Sequence, residues 1–94
     1  MRVRYSRTAL DELEEIVSYV AARNSSAAAA VASRVEQVVG WVGEFPRIGY
    51  VIESDVRMLP IGRYPFLVFY NVAGDKVVIR NIRHMARSAR TSGT

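Results

Sequence analysis

The sequence predicts an α+β domain: an N-terminal edge strand, a two-helix hairpin, then an antiparallel sheet of three to four strands packed against the helices. Three observations predict it. Two runs rich in β-branched and aromatic residues, Tyr64 to Val72 and Lys76 to His84, flank Ala73-Gly74-Asp75, a short glycine-containing link that marks a hairpin. Between Ser6 and Phe45 lie two stretches with apolar residues at helical spacing, separated by Asn24-Ser25-Ser26. Finally, the helices precede the main strands in the chain, the order expected when both helices lie across one face of a sheet.

Each element follows from its residues. Arg2 to Tyr5 alternates Arg, Val, Arg, Tyr, the period of a half-buried strand, and is read as a solvated edge strand. Ser6 is a good N-cap for the first helix, and Thr8 with Asp11 resembles a capping box. Leu10, Leu13, Ile16, Val17 and Val20 then form one apolar stripe. Opposite them stand Asp11, Glu12, Glu14 and Glu15, placed near the positive end of the helix dipole and read as solubilising rather than catalytic.

Ser25 or Ser26 is expected to cap the second helix, which Ala27 to Ala30 start and Val31, Val35, Val38, Val39 and Val42 line. Gly40 and Gly43 weaken its end by about 1 kcal/mol each relative to Ala, and Phe45-Pro46 stops it. Arg47 to Tyr50 reads as a loop with a turn glycine. Val51-Ile52 and Val56 to Ile61 are short strands separated by the polar turn Glu53-Ser54-Asp55.

The run from Tyr64 to Val72 has almost no polar residue, so it belongs at the middle of the sheet or is covered on both faces. Pro65 has no N–H, so pairing begins after it. In the next run Val77 and Ile79 point one way and Val78 and Ile82 the other, a conflict that a bulge near Arg80 reconciles. Residues 1–84 are expected to form one domain, followed by a basic tail over 85–94.

Composition narrows function. The chain has 94 residues, half of them hydrophobic, enough for one small core. It has no cysteine, which excludes disulfides and thiolate metal sites and fits a reducing compartment. Charge begins at Arg2 with no apolar signal core, and no run reaches membrane-spanning length, so a cytoplasmic location with no membrane partner is expected. The net charge of +4 resides wholly in residues 48–94, where six Arg and one Lys face Glu53, Asp55 and Asp75. Twelve of the thirteen basic residues are Arg, suited to bidentate contact with carboxylate or phosphate, so an acidic partner is expected.

No phosphate loop, metal-ligand cluster or nucleophile motif is present, and neither a metal nor a cofactor is expected. The groups left to do chemistry are arginines around the sheet (Arg57, Arg63, Arg80, Arg83, Arg87, Arg90), with Tyr64, Tyr70 and the one histidine, His84. Cleaving RNA by acid–base chemistry needs a base near a 2′-hydroxyl, cations around the phosphate and a proton donor for the leaving oxygen. Arg57, Arg63, Arg83 and His84 are the candidates for that set. Arg80, Arg83, His84, Arg87 and Tyr70 are the candidates for a partner-binding rim.

Over nearly its full length the chain resembles the RelE/ParE superfamily of toxins from type II toxin–antitoxin systems. The resemblance lies in Tyr5-Ser6 ahead of Ala9, Leu13 and Ile16, in Phe45-Pro46 followed by Gly49, in the run from Arg57 through Gly62-Arg63-Tyr64-Pro65 to Tyr70, and in Ile79 to Arg87. It implies a small bacterial toxin neutralised in a hetero-oligomer by a cognate antitoxin. ParE-like members poison DNA gyrase without being nucleases. RelE-like members are ribosome-dependent mRNA endoribonucleases. Where the nuclease branch tends to place an arginine at the start of the central strand, this chain has Phe66, no aromatic residue follows His84, and the only lysine is Lys76. Those departures favour the ParE-like branch.

Overall fold

The computed structural model describes residues 1–86, so the expected tail beyond Ala86, with Arg87 and Arg90, lies outside the described residues. The order is β1 (Arg2–Tyr5), α1 (Arg7–Ala21), α2 (Ser25–Glu44), β2 (Tyr50–Glu53), β3 (Val56–Pro60), β4 (Phe66–Ala73) and β5 (Lys76–His84). The α+β class holds. All five strands join one sheet in the order β1-β5-β4-β3-β2. The strand beyond the three to four expected in the sheet is the N-terminal edge strand β1, which pairs parallel to β5, so the sheet is mixed rather than wholly antiparallel.

Helix boundaries follow from caps. Ser6, in extended backbone, accepts a hydrogen bond from Ala9 N, so the helix starts before Thr8 and the Thr8/Asp11 pair falls inside the first turns. Asn24 rather than Ser25 or Ser26 caps α2, its side chain accepting from Ala27 N at 3.0 Å. The stripe of α2 is buried as expected. That of α1 is rotated: Ala9 is fully buried while Leu10 stays 47% exposed, and Leu13, Ile16, Val17 and Val20 are half-buried. The smaller Ala9 lets the start of α1 sit close against the sheet, which turns Leu10 outward.

The core lies between the two helices and one sheet face, with Val35, Val38 and Val42 meeting Val68, Tyr70, Val77, Ile79 and Ile82. Strand β4 is the middle strand, which accounts for its apolar run. It begins at Phe66, just after Pro65. Gly74-Asp75 link Ala73 to Lys76 across the hairpin. The bulge falls where the apolar phase required it: Phe69 pairs with Asn81 and Tyr70 with Ile79, so Arg80 is the extra residue and Val77, Ile79 and Ile82 all reach the core. Ser6 secures that bulge from the other side, its N–H donating to Ile79 O and its hydroxyl to Arg80 O, both at 2.9 Å.

Tyr5 points from β1 toward the helix side. Burial, with the Glu36 carboxylate as a lesser cause, raises its phenol above the ordinary 10.0. A folded-state value above the unfolded one contributes stability that is present below pH 10 and is lost as pH rises through the folded value. In urea titrations, wild type therefore weakens more than Tyr5→Phe between pH 9 and pH 11. Parallel pH profiles for the two proteins would refute this assignment.

Candidate functional site

A groove of about 750 Å³ opens where the helical hairpin parts from the far end of the sheet. Its helical wall is Glu12, Glu15, Ile16, Tyr19 and Val20 of α1 with Ala27 and Val31 of α2, and its sheet wall is Tyr64, Pro65, Phe66, Ile82, Arg83 and His84. The half-buried α1 stripe accounts for the first wall: the helix leans on the sheet through Ala9 and diverges from it toward Val20. Tyr19 is 62% exposed and carries Arg23 over its ring at 4.1 Å from the centroid.

The rim is built at the end of β5. Phe66 and His84 are direct cross-strand partners, and their rings meet edge to face with centroids 5.5 Å apart. His84 Nδ1 accepts from Ala86 N at 3.1 Å, which leaves the proton of the neutral ring on Nε2. Arg83 lies 3.5 Å from Glu12 through Nε. Glu12 also accepts from Ile82 N at 2.9 Å and from Asn81 Nδ2 at 3.2 Å. β1 ends opposite Ile79, so this carboxylate satisfies a β5 donor on the edge that β1 leaves bare.

Glu12 is therefore a structural clamp between α1 and β5 and not merely one of four solvated acids. No pattern in the sequence marks it out from Asp11, Glu14 or Glu15, because only the angle of α1 against the sheet decides which acid meets a free N–H.

The nuclease candidates are not gathered. Arg57 sits opposite Tyr70, four residues along β4 from the Phe66–His84 pair, about 13 Å at 3.3 Å per residue. Its guanidinium is occupied in donating to Gly49 O at 2.9 Å and Arg47 O at 3.2 Å. Arg63 lies in the 61–65 loop that leads into β4, at φ +70 just after Gly62 at φ +49. Arg34 braces that loop, donating from Nε to Ile61 O at 3.2 Å while stacking over Trp41. Arg63, Arg83 and His84 thus share one end of the sheet, with Arg83 already paired to a carboxylate and Arg57 elsewhere.

Of the rim candidates, Arg83 and His84 line the groove, and Arg80 stands on the bulge, its Nη1 donating to Asn71 Oδ1 at 3.3 Å. Tyr70 is not on any rim. It is fully buried, its hydroxyl donating to Pro46 O and accepting from Gly49 N, each at 2.8 Å. The core-facing register of β4 turns it inward, where it fastens the loop after α2. Arg87 lies outside the described residues. Among the described residues no group of three or more His, Cys, Asp or Glu is placed to hold a metal ion, and no helix is long and apolar enough to cross a membrane.

Known proteins place this architecture. A solved structure titled "Chromosomal ParDE TA system from P. aeruginosa" superposes with a TM-score of 0.68 at 21% identity, covering 89% of this chain and 95% of that one. No curated protein matches the sequence. The family model described as "ParE toxin of type II toxin-antitoxin system, parDE" matches residues 3–89, and the chain belongs to that family.

Proposed function

We propose that this chain arrests growth by poisoning DNA gyrase and is held inactive by a cognate antitoxin seated in the groove. Membership of the ParE toxin family supports the target. The observation that carries it over ribosome-dependent mRNA cleavage is the dispersal of the cations: Arg57 is fixed to the Arg47 and Gly49 carbonyls, and Arg83 is partnered by Glu12. A phosphoryl transition state needs unengaged cations converging on one point. What remains at that end of the sheet is Arg63, in the loop before β4, and His84.

The groove fits an amphipathic helix from a partner. Its walls are mostly apolar, it is open to solvent, and its sheet-side rim carries Arg83 and His84 for a flanking acid, while Glu12 and Glu15 on the α1 side disfavour one there. The antitoxin is expected to be an acidic, partly disordered segment that folds on contact and lays its apolar side chains between α1 and the Phe66–His84 corner.

Purified toxin added to gyrase and relaxed plasmid is expected to suppress supercoiling and accumulate cleaved DNA, while translated mRNA stays intact. Unaffected gyrase turnover at saturating toxin overturns the proposal. Ribosome-dependent mRNA cleavage that His84→Ala abolishes would install the endoribonuclease in its place.

A further inference from the structure

The sheet has a second face, away from the helices, that no other described element covers. Strand alternation and register assign its residues. The core-facing pairs Val3–Val77 and Tyr5–Ile79 leave Arg2 beside Lys76 and Arg4 beside Val78 on the outer side. Arg80 joins them through its contact with Asn71, which lies between the core-packed Tyr70 and Val72 of β4 and so faces outward, where its neighbours leave it only 8% exposed. Among the described residues none of these four cations is ion-paired, the salt bridges present being Arg7–Asp11 and Arg83–Glu12.

Carboxylates are sparse in this area, although Asp75 adjoins Lys76 in the chain. Six of the nine acids lie on the two helices. Asp55 lies in the β2–β3 turn, Asp75 is at the hairpin tip, and Glu53 is on β2, three strand spacings or about 14 Å from β5. Beside the cations, Leu67 and Phe69 of β4 and Met58 of β3 project from the same face, half-buried with no layer over them.

We infer that this face binds single-stranded DNA, phosphates along the β1–β5 cations and bases stacked over Phe69. Along each strand, outward positions recur about every 6.6 Å, and the β1 and β5 rows are about 4.8 Å apart. That lattice of unpaired guanidinium and ammonium groups follows a phosphodiester chain, and an aromatic one strand further in receives a base by its face. An acidic peptide would answer the charge but leave the aromatic strip idle. The choice of DNA over RNA rests on the gyrase reading above, since the substrate of that target is DNA, and the choice of a single strand over a duplex rests on Phe69, which can stack only on an unpaired base.

The test is fluorescence anisotropy of the purified toxin with a labelled 12-nucleotide oligodeoxythymidine from 50 to 300 mM salt. Binding is expected with a log–log salt slope of about −2 to −3, for three to four phosphates neutralised. Arg4→Gln with Arg80→Gln should reduce that slope by about 1.4, and Phe69→Leu, which keeps the bulk, should weaken binding about tenfold at unchanged slope. Absence of binding at 50 mM salt, indifference to these substitutions, or equal affinity for a duplex of the same length each overturns the inference. So does tighter binding of the ribo-oligonucleotide or of poly-glutamate. Gyrase inhibition is read separately: wild-type toxin that stalls gyrase normally without binding the oligonucleotide sinks only this inference, and oligonucleotide binding by a toxin inert toward gyrase sinks only the reading of the target.

Discussion

Gly49→Ala is expected to destabilise the fold by about 3 kcal/mol, from overpacking joined to a lost buried hydrogen bond. A Cβ at this position would stand 2.7 Å from the Tyr70 hydroxyl, 2.8 Å from its ring and 3.0 Å from Met58 O. None of these neighbours can yield: the ring is fully buried, and the oxygen belongs to β3. Movement of the loop instead would break the Gly49 N–Tyr70 Oη bond and loosen the Arg57 contact to Gly49 O. For a domain of this size the loss corresponds to a fall in melting temperature of roughly 12–24 °C. Tyr70→Phe isolates the hydrogen-bond share, leaving Gly49 N–H and Pro46 O without that partner, and should lose about 1–3 kcal/mol. Gly40→Ala is the control, because nothing lies within 4 Å of the added methyl and the position is inside α2; it should gain about 0.5–1 kcal/mol. Thermal melts followed by circular dichroism decide. A Gly49→Ala protein melting within about 2 °C of wild type would show that the latch is not there.

Tyr70 marks where sequence reading stopped. The strand it occupies, the hairpin and even the bulge at Arg80 were legible, because an apolar phase that breaks between Ile79 and Ile82 has few other solutions. The direction of one tyrosine within an almost wholly apolar run was not, since Asn71 is the one plainly polar side chain in it and too little to tell the two faces apart. Glu12 and Leu10 failed for a related reason. Helical periodicity locates a stripe, but the rotation of α1 about its axis is set by the close approach at Ala9, and that rotation decides which acid reaches Ile82 N–H and which leucine is left out. Dispersal of Arg57 from Arg83 and His84 was equally hidden, because it depends on how far along β4 each neighbouring strand is registered.

The close approach at Ala9 that sets this rotation also leaves the Val20 end of α1 lining the groove, and the groove yields the other large effect. Tyr19→Ala combined with Val20→Asp should weaken antitoxin binding by 100-fold or more, about 3 kcal/mol by the usual conversion. The two residues sit on the helical wall, Tyr19 largely exposed and Val20 half-buried, so neither holds up the core. A docked amphipathic helix would bury both against its apolar face. The Tyr19 deletion leaves a gap at the centre of that contact, and the aspartate forces a charge into an apolar site beside an already acidic partner. The loss belongs in the dissociation rate, because the change concerns packing more than long-range steering. Arg83→Gln is the contrasting variant. Glu12 keeps its bonds from Ile82 N and Asn81 Nδ2 when Arg83 is replaced, and only a rim charge is lost, so this variant should weaken the complex less and act on the association rate and its salt dependence. Surface plasmon resonance against the co-expressed partner, with melting curves to confirm an intact fold, separates the two. If the double variant folds normally and still binds with wild-type dissociation kinetics, the antitoxin does not use this groove, and the diverging end of the helical hairpin has some other purpose.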